Sequence, residues 1–351
     1  MIKIIKGFPV DADNRVRTTF TNNPSTLRYS SVNPNLQNIP TGRDSEVQKW
    51  VKECFVAAPG SVFWERDFSA IEAVLVGYFA GDPDYIRFAK LGVHAYLASH
   101  IAGRPADLKW SDTDLRAYFG ALKASDPVAY ATAKRVVHGS NYLMTTRKMH
   151  YDYPETFHTI KDATRLQGLY FELFPSIPRW HREFCLRVDG TKRRRGEESE
   201  RVDPWTLGVC YVKNPFGYVH RFYNVLDWAR KPVEQLADGS IRSEWAWELG
   251  EDAKRLIAFN PQSTAAAIIK RAAKRLWVEY RMVVGESLRL LIHDAIFGEC
   301  AEKDIQTCLD VSQLVMEAPI QQLPLDPAWG LGDFLTIGTE AKVGTSWGGM
   351  H

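Results

Sequence analysis

Two aspartates stand where apolar stretches end, and a carboxylate in such a place can hold a hard cation. Asp67 follows the apolar stretch 61–65, and Asp294 lies between the apolar stretches 288–292 and 295–297. A buried, unpaired aspartate would be costly, so Asp294 is expected to meet either a cation or a hydrogen-bonded turn. An aspartate ahead of a helix can also be a plain cap, and its immediate neighbours favour that interpretation for Asp67.

A second set of side chains recurs every four residues and therefore lies on one face of a helix. Its members are Tyr130, Lys134, His138 and Tyr142. A core helix seldom carries such a row, whereas a solvated face often does. Gly139 interrupts the same helix and indicates that another group approaches its backbone closely.

A third set is a loop that is rich in amide and hydroxyl groups. It spans residues 27–40 and includes Arg28, Asn35, Gln37 and Asn38. Such side chains can reach the sugars and base edges of nucleic acids. A loop of this composition can equally bind its own backbone.

The sequence also predicts the helices and strands that position these residues. The pattern predicts a strand at 61–65 and a helix from Ser69 to about Gly81, with Glu72 in its first turns. Two apolar runs around His293 and Asp294 predict a hairpin that presents this pair at its tip.

Two further helices are predicted later in the chain. One opens at Asp126-Pro127, a cap followed by proline in the first turn. The other is a long helix over 258–284, after Asn260-Pro261 and with Gln262 near its start.

Length and composition indicate an ordinary globular protein of 351 residues, large enough for two lobes. No apolar stretch is long enough for a membrane span, and the N-terminal segment is too short for a signal peptide. The five cysteines form no C-x-x-C pair, which argues against a disulfide framework or a zinc site and favours the cytoplasm. The net charge is only +2, and the basic runs 192–195 and 270–275 are weak indications of phosphate contact.

These segments occur in the order and spacing of the family A DNA polymerases, the bacterial DNA polymerase I type. The resemblance extends over residues 15–347, and the run 33–40 is very specific to that family. Residues 67–72 resemble the first catalytic motif and 134–142 the fingers-helix motif. His293-Asp294 resembles the third motif.

The resemblance implies an α+β fold, a right-hand polymerase palm with an antiparallel β-sheet and a helical fingers subdomain. The expected division is palm over residues 1–93, fingers over 94–225 and palm again over 226–351. Asp67 and Asp294 would both lie in the palm.

The implied activity is that of a template-directed DNA polymerase, which adds dNTPs to a primer 3′ end. Two Mg²⁺ ions, replaceable by Mn²⁺, would be held by Asp67, Asp294 and the carbonyl of Phe68. The implied partners are primer-template DNA and dNTPs, and no membrane is expected.

Other roles are carried over residue by residue. The nucleotide-binding residues would be Glu72, His94, Lys134, His138 and Tyr142. The DNA-binding residues would be Arg28, Asn35, Gln37, Asn38, Gln262 and His293. Among these, Glu72 resembles the side chain that blocks a ribose 2′ hydroxyl. Lys134 and His94 would hold the triphosphate.

Several positions depart from the family. Tyr130 replaces an arginine one turn before Lys134, and Arg135 or Arg147 could substitute for it. His138 replaces an aromatic residue that, in the family, discriminates between dideoxy and deoxy sugars. Three smaller departures are Leu143 for a glycine, Ala258 for an asparagine and Ala295 for a glutamate. None removes a metal ligand, so an active but altered polymerase is expected.

Only about 27 residues precede Arg28, whereas relatives carry a thumb and an exonuclease-like domain there. The chain is therefore expected to be the polymerase part of a split enzyme, with a separate polypeptide supplying those domains, or else an excised fragment. The alternatives are a single-subunit RNA polymerase, a non-catalytic nucleic-acid-binding subunit derived from a polymerase, and a metal-dependent nuclease. Glu72 and the run 35–40 speak against the RNA polymerase, and the row on the helix is unexplained by a nuclease.

Overall fold

The computed structural model describes residues 7–22, 26–39, 46–188, 209–235 and 241–351. Pro40 and the basic run 192–195 lie outside these ranges. Within them, no helix combines the length and the apolar character needed to cross a lipid bilayer.

The chain divides into two compact units. The sheet unit comprises Met1–Ile71 and Gln262–His351, and the helical unit comprises Glu72–Pro261. These bounds differ from the expected palm and fingers. Because compactness does not define functional subdomains, the boundaries expected from the resemblance stay predictions.

The described ranges contain α-helices and antiparallel strands, so the predicted α+β class is confirmed. The helices are α1 (Glu46–Glu53), α2 (Ile71–Ala80), α3 (Pro83–Leu91), α4 (Val93–Ile101), α5 (Asp112–Ser125), α6 (Pro127–Asn141), α7 (Thr146–Asp152), α8 (Ile160–Leu173), α9 (Ser176–Val188), α10 (Ala253–Glu279) and α11 (Ile305–Met316). The strands are β1 (Thr19–Thr21), β2 (Ser30–Val32), β3 (Ser61–Phe68), β4 (Val209–Lys213), β5 (Val219–Tyr223), β6 (Leu226–Gln235), β7 (Ile241–Leu249), β8 (Leu288–Ile292), β9 (Ala295–Ala301) and β10 (Thr339–Gly344).

The sheet unit is built on a four-stranded antiparallel sheet in the order β10-β3-β9-β8. β3 is an interior strand, so its backbone is bonded on both sides. Trp64 in its centre is fully buried, and Gly298 of β9 lies opposite it. A Cβ atom on Gly298 would lie 2.2 Å from the Trp64 ring, so only glycine fits there.

One buried cation ties β3 to its neighbours. Arg66 is 4% exposed and donates to the Ser312 hydroxyl at 2.9 Å and to the Leu309 carbonyl at 2.9 Å, both on α11. It also donates to the Thr339 hydroxyl of β10 at 2.9 Å. These three bonds give each guanidinium nitrogen a partner and fix the strand that carries Asp67.

The helical unit is held by local caps and by a buried polar network. Asp126 caps α6 by accepting from the amide of Ala129 at 2.9 Å, as the sequence predicts. At the other end of α6, the hydroxyl of Tyr170 donates to Asn141 Oδ1 at 2.5 Å, and Asn141 Nδ2 donates to the hydroxyl of Tyr85 at 2.9 Å. This network anchors the last turn of α6.

The prediction for the long helix needs a correction. α10 begins at Ala253 rather than Ala258 and ends at Glu279 rather than Val284. Pro261, taken as a helix start, lies inside it. Proline removes one backbone bond and crowds the preceding turn, but the helix continues through it and buries Leu256, Ile257 and Phe259 on the N-terminal side.

Candidate functional site

The two predicted aspartates come together in the sheet unit. Asp67 lies in β3, opposite Ala295 of β9 and Glu340 of β10. Asp294 directly precedes β9, and its carbonyl accepts a hydrogen bond from the amide of Phe68 at 3.2 Å. Since α2 begins only at Ile71, Asp67 is a strand residue rather than the cap of that helix.

The two carboxylates interact electrostatically. Burial, and then the negative charge of Asp294, raise the pKa of Asp67 to about 6, with Glu65 adding to the effect. A divalent cation would relieve this repulsion and restore the ionised forms.

The donor set suits a hard cation such as Mg²⁺. It consists of the carboxylates of Asp67 and Asp294 together with the nearby backbone carbonyl of Phe68. Among the residues that the structure describes, no three His, Cys, Asp or Glu side chains form a metal cage. An ion held by two carboxylates would therefore keep water or substrate oxygens, which is the usual binding mode of Mg²⁺.

The hairpin tip has the predicted form. Ile292 pairs with Ala295, so His293 and Asp294 make up a two-residue loop. His293 is exposed and has a positive φ of 53°, as the first position of such tight loops requires. Arg28 Nη2 lies 3.5 Å from Asp294 Oδ1.

The amide-rich loop binds the protein itself. Gln37 donates to the carbonyl of Leu291 on β8 at 2.9 Å and accepts from the amide of Ser31 at 3.0 Å. Asn35 Oδ1 accepts from the amides of Gln37 and Asn38 at 3.1 and 3.2 Å. Both side chains thus have the structural role that a self-bonded loop predicts, and their contact with DNA stays a prediction.

The loop brings several predicted DNA-binding residues together. Arg28, Gln37 and His293 line one small cleft with Lys270 of α10. Lys270 lies 4.2 Å from the ring centre of Tyr29 and so fastens the start of the loop to α10. The other three predicted residues are exposed (Asn35 and Asn38) or half-buried on α10 (Gln262), and none of them lines this cleft.

In the helical unit, Tyr130, Lys134 and His138 lie on α6 as predicted, whereas Tyr142 is not in the helix but directly follows its last residue, Asn141. Lys134 and His138 are exposed, which by itself also fits a solvated face, and Tyr142 is buried. The Tyr142 hydroxyl donates to a carboxylate oxygen of Glu72 at 2.5 Å, and the His138 and Tyr142 rings meet edge to face at 5.4 Å. The row therefore ends on a residue that orients Glu72.

His94 belongs to the same group. Burial, and then the positive charge of Lys134 and His138, lower its pKa to about 4. At neutral pH, His94 is therefore a neutral hydrogen-bonding group, and an anion placed among these three residues would raise its pKa.

The two arginines considered as substitutes at the Tyr130 position contact other groups. Arg135 Nη1 lies 2.8 Å from the Glu155 carboxylate, and its guanidinium lies 4.8 Å from the ring centre of Tyr153. Arg147 is exposed, with its guanidinium 5.7 Å from the ring centre of Tyr151. Neither of these contacts involves a member of the row.

Sequence reasoning missed the supporting residues. Arg66, Ser31 and Asn141 hold β3, the amide-rich loop and the end of α6 in place. Ser31 is fully buried, and its hydroxyl accepts from the amide of Leu36 at 2.9 Å. Of these three residues, only Arg66 had a signal in the sequence, because it is a charged residue in an otherwise apolar stretch.

Comparison with known proteins identifies the family. The sequence profile of DNA polymerase family A matches residues 2–195. The chain belongs to DNA polymerase family A. Two of its relatives are the thermostable DNA polymerase I of Thermus thermophilus, 26% identical over 91% of this chain, and DNA polymerase I of Deinococcus radiodurans, 25% identical over 91%. The chain spans 32% and 28% of their lengths, about a third.

A comparison with solved structures also identifies the fold of this chain. The chain is similar to the POL domain of Pol1 from M. smegmatis, solved in complex with a DNA primer-template and dNTP. The TM-score is 0.62 at 20% identity, and the match covers 97% of this chain and 49% of that one. The predicted polymerase fold is thereby confirmed.

Proposed function

We propose that this chain is the polymerase part of a template-directed DNA polymerase that adds dNTPs to a primer 3′ end. The observation that carries the proposal is the pair of aspartates, Asp67 and Asp294, held at adjacent places on one sheet in a member of family A. The raised pKa of Asp67 supports a role in binding cations.

Asp67, Asp294 and the carbonyl of Phe68 would hold two Mg²⁺ ions, or Mn²⁺ in their place. Bound metal ions supply activation of the primer hydroxyl and stabilisation of charge on the phosphates. The chain contributes the fixed spacing of the carboxylates, because β3 is bonded on both sides and the hairpin tip is closed by Ile292 and Ala295.

The row on α6 would bind the incoming dNTP. Lys134 would contact the triphosphate, and His94, neutral in the free protein, would donate a hydrogen bond to it. Glu72, held by Tyr142, would exclude a ribose 2′ hydroxyl, while Tyr142 would lie near the nascent base pair. His138 would take the place next to the sugar.

The cleft of the sheet unit would contact the primer-template. Arg28 and Gln262 would reach the minor groove at the primer end, and His293 would lie close to the primer terminus. The exposed Asn38 is the member of the loop best placed to contact DNA as well, since Asn35 and Gln37 already bind backbone groups.

Primer extension with Mg²⁺ tests the proposal. The purified chain is expected to extend a primer with dNTPs far better than with rNTPs, and Asp294→Ala is expected to abolish extension. Preference for rNTPs would instead support an RNA polymerase. Unchanged extension by the Asp294→Ala variant would remove the catalytic assignment.

The sugar position gives a second, narrower test. His138 is exposed and meets Tyr142 edge to face, so its ring is available to a sugar. His138→Tyr is expected to change the ratio of dideoxy- to deoxynucleotide incorporation markedly, measured by competition on one template. An unchanged ratio would mean that His138 does not contact the sugar.

We also propose that a separate polypeptide strengthens the binding of duplex DNA. We further propose that the protein acts in the cytoplasm. The net charge of +2 supports the first point, since duplex binding depends on cationic side chains. The second is supported by the described cysteines, Cys54, Cys185, Cys210, Cys300 and Cys308, which are all free thiols. Gel filtration of the native protein tests the partner: a lone monomeric species with processive synthesis would contradict it.

A further inference from the structure

One exposed lysine is held against the row on α6. Lys123 lies in the last turn of α5, and its Nζ is 5.4 Å from the ring centre of Tyr130. A cation at this distance from an aromatic ring is attracted to the face of the ring. The contact confines a side chain that would otherwise sample many rotamers.

Tyr130 joins this lysine to the residues already described. Its ring meets the ring of His94 edge to face at 6.2 Å. Tyr130 also stands one helical turn before Lys134, on the same face of α6. Lys123 and His94 are thus both neighbours of a single ring in the row.

Part of this group is coupled electrostatically, and its surroundings favour an anion. The charges of Lys134 and His138 are felt at His94, whose pKa they lower. Arg104 Nη2 lies 3.8 Å from the carboxylate of Asp126, so the one acid at the start of α6 has both a cation partner and the amide of Ala129. Lys123 therefore adds positive charge at the N-terminal end of the row, where the helix dipole also favours anions.

We propose that Lys123 is a further phosphate-binding residue, positioned by the ring of Tyr130, that extends the triphosphate site of α6 toward the helix N-terminus. This inference deepens the proposed function and rests on it. A triphosphate aligned along α6 would place its phosphates between Lys134 and Lys123, with His94 beside them. Tyr130 is a positioning residue, because its ring holds the lysine without itself carrying charge.

Direct binding of inorganic tripolyphosphate tests the inference without requiring catalysis. Lys123→Ala is expected to weaken binding about fivefold by calorimetry, the upper range for an exposed charge contact. The loss should shrink as ionic strength rises. Lys123→Arg should retain most of the affinity.

A matched control separates a local contact from a general charge effect. Arg116 is exposed on the same helix, α5, so Arg116→Ala removes the same charge without touching the row. Its affinity for tripolyphosphate should equal that of the wild type. An equal loss in Arg116→Ala and Lys123→Ala would overturn the inference.

The ring is tested in the same assay. Tyr130→Phe keeps the aromatic face and should bind like the wild type. Tyr130→Leu should show the loss seen in Lys123→Ala, with no further loss in the double variant. Additive losses would show that the ring does not place the lysine, and an unchanged affinity in Lys123→Ala would overturn the lysine assignment itself.

Steady-state primer extension then separates the two proposals. Lys123→Ala should raise KM for dNTP by about the same fivefold factor and leave kcat nearly unchanged. A wild-type chain that binds tripolyphosphate through Lys123 but never extends a primer would contradict the proposed polymerase function alone. A wild-type chain that extends a primer while Lys123→Ala changes neither KM nor tripolyphosphate affinity would contradict the lysine assignment alone.

Discussion

The sheet unit and the helical unit position their proposed site residues by different means. Asp67 is fixed by backbone bonds to β9 and β10 on its two sides, and Arg66 next to it is buried, with a hydrogen bond from each guanidinium nitrogen. On α6, by contrast, Lys134 and His138 are exposed, and the last turn of the helix is anchored through the side chain of Asn141. The sheet unit fixes Asp67 through backbone hydrogen bonds, whereas the helical unit positions its residues through the helical period and side-chain contacts.

This difference predicts two kinds of variant. Changes to the carboxylates should remove the chemistry, because no neighbouring residue can take the same place on a fixed strand. Changes along α6 should have graded effects, because several cations would share the charge of the proposed triphosphate ligand. The predictions below sharpen or break that distinction, beginning with the largest expected effect.

The largest effect is expected at Asp67. Asp67→Asn should lower the rate of primer extension roughly 1,000-fold or more, since metal-held charge is worth several kcal/mol to such reactions. Glu340→Gln is the matched control, because Glu340 lies opposite Asp67 on β10 but is exposed. Equal loss in both variants would show that general charge, not the position of Asp67, matters.

The next effect concerns stability of the sheet unit. Gly298→Ala should lower the free energy of unfolding by about 3 kcal/mol or more, because its Cβ would overlap the buried Trp64 ring. Urea denaturation measures this. Gly338→Ala, with open space around its Cβ, should change stability little. A tolerated alanine at 298 would mean that the strand can shift and is less rigid than described.

The helical unit should be the more sensitive to acid. Burial lowers the pKa of His181 to about 4, and this histidine donates to the carbonyl of Asn141 at 3.0 Å. Because the folded-state pKa lies below the unfolded value, the stabilising effect is present above about pH 6.5 and is lost as the pH falls toward 4. Between pH 7 and pH 5, the loss from this residue should be about 2 kcal/mol.

Urea denaturation at both pH values measures that loss. His181→Gln removes the titrating group, so the variant should lose about 2 kcal/mol less than the wild type over the same interval. Equal losses in the two proteins would show that His181 does not titrate with the unfolding of this unit.

The smallest effect is expected just beyond α6. Leu143 has a positive φ of 55°, which costs a residue with a Cβ about 1–2 kcal/mol. Leu143→Gly should therefore stabilise the protein by about 0.5 kcal/mol, the strain relief less the added chain entropy. Leu143→Ala keeps the strain and should not stabilise, as thermal unfolding would show.

The sequence predicted the elements that carry local signals. The strand before Asp67, the cap at Asp126 and the hairpin tip at His293 were all predicted, because apolar runs, a cap followed by proline and a polar pair between strands each act over a few residues. The strand extends to Phe68 rather than ending at 65, so the local preference for Asp67 as a helix cap was wrong. Pro261 was misread because the burial that keeps α10 continuous is not local.

Other parts of the site depend on contacts distant in sequence. Arg66 meets α11 more than 240 positions away, and no spacing rule reveals such a partner. The hydrogen bond from Gln37 to the carbonyl of Leu291 also joins residues that are distant in sequence, so the sequence could not predict it either. The contact between Lys123 and Tyr130 is different, because the two residues are only seven positions apart. Lys123 lies at the end of α5 and Tyr130 near the start of α6, and the turn between these helices brings them together.

Single-turnover titration with dNTP tests the account most directly, since it measures the maximal rate and the Kd separately. Asp294→Asn should lower the maximal rate roughly 1,000-fold and change Kd by less than about threefold. Lys134→Ala should raise Kd about tenfold, as a charge-assisted phosphate contact is lost, with a much smaller effect on the rate. If both variants changed the same constant, the division of chemistry and binding between the two units would be wrong.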